Sequence, residues 1–177
     1  MSMLRYTAAG VALATFGLAS AAQAATDTAD VTAEILSTLQ VVAVAGDDTL
    51  DFGDIADNGL TVPSTVDVSP AGVRTCGASL ICSGTVAAPS FNVTGLADAQ
   101  VEVTFPSATI ALTYGGAVPS GMTGTMNVSS FTTDLVSNQA TLTGGAASFS
   151  VGGTLTVNPL QAPGVYTGSV TVEVLYN

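Results

Sequence analysis

The stretch that decides the fold is YTGSVTVEVLYN, residues 166–177. Apolar or small side chains alternate along it with hydroxyl and charged ones, and Leu175 is the only apolar residue that breaks the alternation. Successive side chains of a β-strand point to opposite faces, so this period of two predicts a strand with one buried face. The residues predicted to share that face are Tyr166, Gly168, Val170, Val172, Val174 and Tyr176.

The same alternation recurs upstream of this stretch. It is clearest over residues 147–157, and shorter runs occupy residues 91–93, 101–105, 108–114 and 126–128. Turn-forming residues separate the runs, for example Gly115-Gly116 and Gly144-Gly145, and segments with a helical period are nearly absent. Short strands separated by turns predict an all-β sandwich or barrel. Residues 57–88 are the least regular, and we expect an extended connection or an edge hairpin there.

The first 24 residues have the pattern of a secretory signal peptide. Arg5 precedes an apolar run from Ala8 to Ala19, and Ala22-Gln23-Ala24 forms an A-x-A cleavage motif. The run is too short to span the ~30 Å hydrocarbon core of a membrane, and the rest of the chain has no second long apolar run. We therefore expect a secreted protein with no membrane span in the mature chain, formed by a 25–39 extension and a single 40–177 domain.

The charged residues exclude several classes of function. The sequence of 177 residues has two Arg, no Lys, no His and 13 acidic residues, a net charge of −11. Loss of residues 1–24 removes Arg5, which leaves one Arg against 13 acidic residues, a net charge of −12. Nucleic-acid binding requires clustered cations, and imidazole catalysis requires His. The sequence also lacks a Ser or Cys nucleophile with a partner base, so we expect no enzyme, no cofactor and no nucleic-acid partner.

Two sets of residues are candidates for covalent or metal chemistry. Cys76 and Cys82 form a close, even pair, which in an exported chain predicts a structural disulfide that pins a loop or hairpin. Clustered carboxylates favour Ca²⁺, but the acidic cluster here does not have EF-hand spacing, and a solvated loop explains it better. The residues of this weak Ca²⁺ candidate are Asp47, Asp48, Asp51, Asp54 and Asp57.

The start of the mature chain carries a further alternating segment. After polar residues 25–30, Val31, Ala33 and Ile35 alternate with polar neighbours, and Leu39, Val41 and Ala43 keep the same parity. A strand of this kind either covers the sheet edge of its own domain or pairs with a neighbouring copy. In the second case the donor strand is roughly Asp27 to Leu39, with Val31, Ala33, Ile35 and Leu39 on its apolar face.

Four motifs make a family resemblance specific. The motifs are Leu50-Asp51-Phe52-Gly53, Phe91-Asn92-Val93-Thr94-Gly95, Val151-Gly152-Gly153-Thr154-Leu155 and the segment from Gly164 to Asn177. Over about Val31 to Asn177 the chain resembles the bacterial secreted family catalogued as domain of unknown function 4402, whose name states no activity. Its last strand is also similar to that of chaperone–usher pilins, although the early Cys pair of pilins is missing.

The resemblance to pilins implies a fold and a set of partners. The implied fold is an immunoglobulin-like antiparallel β-sandwich that is completed by a neighbour's N-terminal strand. In pilins a periplasmic chaperone binds an alternating C-terminal strand with a penultimate Tyr, a role that falls here to Val170, Val172, Val174 and Tyr176. An outer-membrane usher and a Gram-negative host, with the periplasm as the route to the cell surface, are implied in the same way.

Two hypotheses of function follow from the sequence. The first is a structural subunit of an extracellular filament or surface coat that self-associates by β-strand addition. The second is a monomeric secreted adhesin or ligand-binding module, with Ca²⁺ as a candidate ligand of Asp47 to Asp57. Deletion of Ala25 to Ile35 tests the first hypothesis, and calorimetry with Ca²⁺ tests the metal in the second.

Overall fold

A computed structural model of the chain describes Asp30 and residues 32–177. The regular structure lies in one compact unit, Ile35–Asn177, which we call the β unit. The described residues contain no α-helix and a single 3-10 turn at Val136–Asn138, so the predicted all-β class is confirmed. The strands are β1 (Gln40–Ala43), β2 (Asp54–Asp57), β3 (Ser64–Val68), β4 (Arg74–Cys76), β5 (Leu80–Ser83), β6 (Ser90–Thr94), β7 (Gln100–Thr104), β8 (Thr109–Tyr114), β9 (Thr125–Thr133), β10 (Gln139–Thr141), β11 (Ala146–Val157), β12 (Tyr166–Thr167) and β13 (Glu173–Tyr176).

The long strand β11 organises the main antiparallel sheet. Its first half pairs with β6 and its second half with β3, while β9 pairs along its other side. The order across the sheet is β1-β6-β11-β9-β8-β12, and β4 extends the sheet beyond β3. Val151, Leu155 and Val157 are buried, because every second residue of β11 faces the interior.

Two smaller sheets form the second layer. One has the order β10-β7-β13, and the other pairs β2 with β5. The order β1-β6-β11-β9 in one layer, with β7 beside β13 in the other, corresponds to the A-B-E-D and C-F strands of an immunoglobulin-like sandwich. A complete domain of this type has a seventh strand, G, which pairs with the outer edge of strand F. Within the described residues no strand pairs with that edge of β13.

Each small sheet covers one hydrophobic cluster on the main sheet. The cluster under β2 and β5 contains Val66, Val128 and Leu155, and the cluster under β7 and β13 contains Val93, Val101 and Phe149. Phe131 packs against both clusters and joins them. Complete burial of one such side chain contributes about 1.5–3 kcal/mol, so these Val-rich inner faces supply the driving force for the fold.

The structure corrects one predicted element and adds detail to two others. The predicted strand over residues 166–177 is two strands, because β12 pairs with β8 in the main sheet and β13 pairs with β7 in the other layer. The alternation that starts at Val31 predicts a long N-terminal strand, but strand pairing begins at Gln40, and Val31 lies outside the described residues. Residues 57–88 contain β3, β4 and β5, and the edge hairpin expected there is confirmed, since β4 pairs with β3 alone.

The predicted disulfide between Cys76 and Cys82 is confirmed. Cys76 ends β4 and Cys82 lies in β5, with 6.2 Å between their Cα atoms. The bridge therefore joins the main sheet to the β2–β5 sheet. We expected it to pin only a loop or hairpin. Within the described part of the chain, no helix is long and apolar enough to cross a membrane.

Candidate assembly edge and groove

The backbone of the segment between β12 and β13 has no hydrogen-bond partner within the described residues. Gly168–Val172 form no ladder and make no backbone hydrogen bond to any other described residue. Extended backbone that is left unpaired in this way attracts a further strand, because its N–H and C=O groups otherwise depend on water alone. The alternation of side chains continues through the gap, so the segment keeps the side-chain pattern of a strand without a partner.

The edge of β13 continues this unpaired segment. β13 pairs with β7 on one side, and the Asn177 N–H donates to the Gln100 carbonyl at 3.0 Å. Hydrogen-bonded pairs alternate along an antiparallel ladder, so Glu173 and Leu175 also direct their backbone groups to β7. The N–H and C=O groups of Val174 and Tyr176 consequently point to the opposite edge, where no ladder forms within the described residues. An unpaired edge therefore extends from Gly168 to Tyr176.

At the start of this edge, Gly168 lets the chain pass close to β8 of the main sheet. A Cβ on Gly168 would lie 2.7 Å from Leu112 Cδ2 and 2.8 Å from the Ala111 carbonyl oxygen. Any other residue at this position would force the chain away from β8. Two residues earlier, the Tyr166 hydroxyl donates to the Ala162 carbonyl at 2.7 Å and fixes the start of β12.

An apolar groove opens beside the unpaired edge. It has a volume of about 300 Å³, and its two sides are Ala43 with Asp48–Leu50 and Gly168–Val170. The base of the groove consists of side chains from the main sheet and the segment after β1, which are Phe52, Phe91, Ile110, Leu112 and Val128. We call this the assembly groove. Its base offers space for apolar side chains directly beside unpaired backbone, which is the combination that β-strand addition requires.

The four predicted residues of the last strand lie along this edge but differ in burial. Val170 is half-buried and lines the assembly groove. Val174 is buried in the cluster under β7 and β13, and Val172 and Tyr176 pack against that cluster. Their inward parity therefore agrees with the alternation, while Glu173 and Leu175 are exposed.

The predicted donor residues divide into an anchored and an exposed part. Leu39 packs against the cluster under β7 and β13, whereas Ala33 is exposed and Ile35 is 95% exposed. The Tyr176 hydroxyl holds the boundary between the two parts, since it donates to the Ser37 carbonyl at 2.9 Å and accepts from the Leu96 N–H at 2.7 Å. The structure thus brings Leu39 and Tyr176 together at the point where the N-terminal segment departs.

The five aspartates of the weak Ca²⁺ candidate are distributed over different surfaces. Asp48 lines the assembly groove, whereas Asp51, Asp54 and Asp57 line a second, larger groove. Asp51 Oδ1 accepts from the Gly53 N–H at 2.8 Å, and Asp57 Oδ1 accepts from the Leu60 N–H at 2.6 Å, so both carboxylates fix local turns. No three acidic, Cys or His side chains among the described residues are placed to hold a metal ion.

The second groove was not foreseen from the sequence. It has a volume of about 750 Å³ and lies between residues 50–57 and 161–166. Gln161 lines it and donates through Nε2 to the Thr123 and Thr125 carbonyls, both at 3.0 Å. The buried Gln161 Oε1 has no hydrogen-bond partner within the described part of the chain. A polar residue between Pro159 and Pro163 was the only available signal, and it is too common in turns to be informative.

The base of the assembly groove was not predicted from the sequence either. The alternation over residues 108–114 correctly puts Ile110 and Leu112 on the inward face of their strand. Alternation does not reveal, however, whether another layer covers that face. The positive signal was Gly168, a residue without a side chain within an otherwise regular buried face.

Comparison with known proteins identifies the family of the chain. No curated protein and no solved structure matches the sequence. A family model described as Domain of unknown function (DUF4402) matches residues 39–176, which is nearly the whole β unit and includes both the assembly groove and the unpaired edge. The chain therefore belongs to the DUF4402 family.

Proposed function

We propose that this chain is a non-enzymatic structural subunit of an extracellular filament or surface coat, in which the N-terminal segment of one copy completes the sheet of the next. The observation that carries the proposal is the unpaired edge from Gly168 to Tyr176, with five consecutive residues, Gly168–Val172, that make no backbone hydrogen bond to any residue the structure describes. A strand added there would supply those bonds and would take the position of the missing seventh strand.

The N-terminal segment of a second copy has the chemistry that this edge requires. Val31, Ala33 and Ile35 share one parity, so an extended segment directs all three to the apolar base of the assembly groove. The exposure of Ile35 in the single copy supports a role outside its own core. Transfer of one Ile from water to a groove contributes up to about 1.5–3 kcal/mol.

The same edge explains the partners that we propose during export. A periplasmic chaperone that pairs with Val170, Val172, Val174 and Tyr176 would protect the edge until a neighbouring subunit replaces it, with an outer-membrane usher as the place of exchange. The disulfide supports an oxidising compartment. Secretion through the periplasm to the surface of a Gram-negative cell belongs to this proposal, and the signal segment on which it depends lies outside the described residues.

The proposal is tested by a matched pair of variants in the 25–177 chain. Ile35→Asp places a carboxylate on the parity that enters the groove, whereas Thr32→Asp places it on the opposite parity. Both positions are exposed in the single copy, so neither variant should change the melting temperature. We expect polymers from the parent chain and from Thr32→Asp in light scattering and negative-stain microscopy, and none from Ile35→Asp.

A peptide of residues 25–39 separates strand addition from other modes of association. We expect a chain that lacks Ala25 to Ile35 to bind this peptide and to remain monomeric. Polymers formed by that shortened chain would rule out the donor strand, and equal assembly of the two Asp variants would show that side-chain parity has no role.

A second candidate function is a monomeric secreted adhesin or ligand-binding module. The observation that favours it is the second groove, where the unpartnered Gln161 Oε1 would accept a hydrogen bond from an occupant. A parent chain that stays monomeric at all concentrations would favour this candidate. Calorimetric heat on addition of Ca²⁺, lost in Asp51→Asn, would further assign a metal to it.

A further inference from the structure

An exposed apolar patch lies at one end of the β unit, on the β8–β9 and β11–β12 connections. It consists of Val118, Met122, Leu160 and Val165, of which Leu160 is 64% and Val165 75% exposed. We call it the apical patch. Single exposed apolar residues are common on protein surfaces, but four on two loops that are hydrogen-bonded to each other form a cluster that points to an interaction site.

The two loops are held together by hydrogen bonds, so the patch is preorganised. The Thr123 N–H donates to the Leu160 carbonyl and the Ala162 N–H to the Thr123 carbonyl, both at 2.9 Å. Leu160 has a φ of 59°, a left-handed conformation that is costly for a leucine. The fold thus holds a large apolar side chain in water at a position that Asn or Gly would occupy with less strain.

Strand directions place the apical patch far from the point where the N-terminal segment departs. The chain passes from Val165 in the patch through β12 and then along the unpaired edge to Tyr176. Tyr176 contacts Ser37 and Leu96 at the opposite, basal end, where β1 begins. The edge from Gly168 to Tyr176 therefore leads from the apical end to the basal end of the unit.

An added strand that runs antiparallel to β13 fixes the position of the copy that donates it. Every paired strand of the β unit is antiparallel to its neighbour, and the same geometry makes the donor run from the basal to the apical end. If residues up to Ile35 pair with the edge, only residues 36–39 connect the donor to its own β1. Four extended residues span at most about 14 Å, so the donor's basal end must lie against the acceptor's apical end.

We propose that the apical patch is the docking surface for the basal end of the next copy of this chain. The inference rests on the proposed strand addition and adds a second contact to it. The occupant is the surface around Ala97 and Asp98 of the donor, together with its exposed Leu36. The patch orients successive subunits, whereas the donor strand links them.

The first experiment compares assembly with peptide binding in Leu160→Asn/Val165→Thr. Asn relieves the left-handed strain at position 160, so the melting temperature should not fall. We expect binding of the 25–39 peptide to equal that of the parent and the assembly rate to drop about tenfold, which corresponds to the loss of about 1.4 kcal/mol. Val73→Thr, at an exposed valine on the β3–β4 turn, is the matched control and should assemble like the parent.

The second experiment determines which ends of two neighbouring copies meet. Val165→Cys chains mixed with Ala97→Cys chains should give a heterodimer with a short thiol cross-linker during assembly. Cross-links between two Ala97→Cys chains would mean parallel addition and would overturn the inference. So would parental assembly of the double variant while the peptide still binds. Absence of both peptide binding and parental polymers would instead reject the proposed strand addition, and this inference with it.

Discussion

At the scale of single residues, Tyr176 connects the last strand to the start of the fold. Its hydroxyl accepts from the Leu96 N–H and donates to the Ser37 carbonyl, so one oxygen joins β13, the β6–β7 turn and the segment before β1. These contacts hold the N-terminal segment at one defined point, while residues 32–36 before it are exposed. Tyr176 thus has a structural role within a single copy of the chain, independently of any partner.

We predict that Tyr176→Phe lowers the free energy of unfolding by about 1–2 kcal/mol, because it removes two hydrogen bonds and leaves the Leu96 N–H without its partner. Urea denaturation of the shortened chain, which cannot polymerise in our proposal, measures the loss. Tyr114→Phe is the control, since the Tyr114 ring packs against Tyr166 with the planes tilted by 35° and its hydroxyl has no partner among residues 32–177. Equal stability of Tyr176→Phe and the parent would assign these contacts no energetic role.

At the scale of elements, the disulfide adds a covalent link between two sheets that also pack together around one hydrophobic cluster. It connects β4 of the main sheet to β5, and the Arg74 guanidinium adds hydrogen bonds to the Phe52 and Ser83 carbonyls at 3.0 and 2.6 Å. Gly53 allows this approach, because a side chain there would collide with Arg74 Nη1. The one Arg beyond the predicted signal peptide therefore has a structural role at the junction of the two sheets.

We predict that Cys76→Ala/Cys82→Ala lowers the free energy of unfolding by about 2 kcal/mol, the entropy expected for so short a loop. Hydrogen exchange should increase in β2 and β5 and remain unchanged in β7 and β13, which belong to the other cluster. The parent chain treated with reductant is a second route to the same state. Faster exchange in β7 would contradict a local role for the bridge.

Prediction from sequence succeeded where an alternating run forms one strand in one sheet. The alternation over residues 147–157 predicts β11, and its inward parity matches the burial of Phe149, Val151 and Leu155. The same reasoning failed over residues 166–177, because β12 and β13 keep one parity although they belong to different sheets. Alternation reports which face a side chain takes, and it carries no information about which sheet the strand joins.

The candidate site was predictable only in part for the same physical reason. The inward parity of Val170, Val172, Val174 and Tyr176 is local and was read correctly. The lack of a partner along Gly168–Val172 depends on strands that are remote in sequence, and so does the incomplete cover over Ile110 and Leu112. Strands β2, β4 and β5 are only three or four residues long, which is too short for a period of two to stand out.

At the scale of the whole molecule, charge opposes the assembly that we propose. The chain from Ala25 onward has one Arg against 13 acidic residues, a net charge of −12, and its donor segment contributes Asp27, Asp30 and Glu34. The acceptor presents Asp48 beside the assembly groove. Donor and acceptor therefore repel each other, and apolar contact together with new backbone hydrogen bonds must exceed that repulsion.

We predict that the rate of polymerisation rises several-fold between about 10 mM and 150 mM NaCl, because the Debye length falls from about 30 Å to about 8 Å and screens the like charges. Light scattering on the parent chain measures the rate. Glu34→Gln removes one of the repelling charges, so its rate should be higher at low salt and less sensitive to NaCl. A rate that falls with salt would mean that attraction between opposite charges drives assembly.

CaCl₂ and MgCl₂ at matched ionic strength should change the rate of polymerisation alike, since screening does not distinguish the two cations. Acceleration by Ca²⁺ alone would instead indicate a specific site among the aspartates from Asp47 to Asp57.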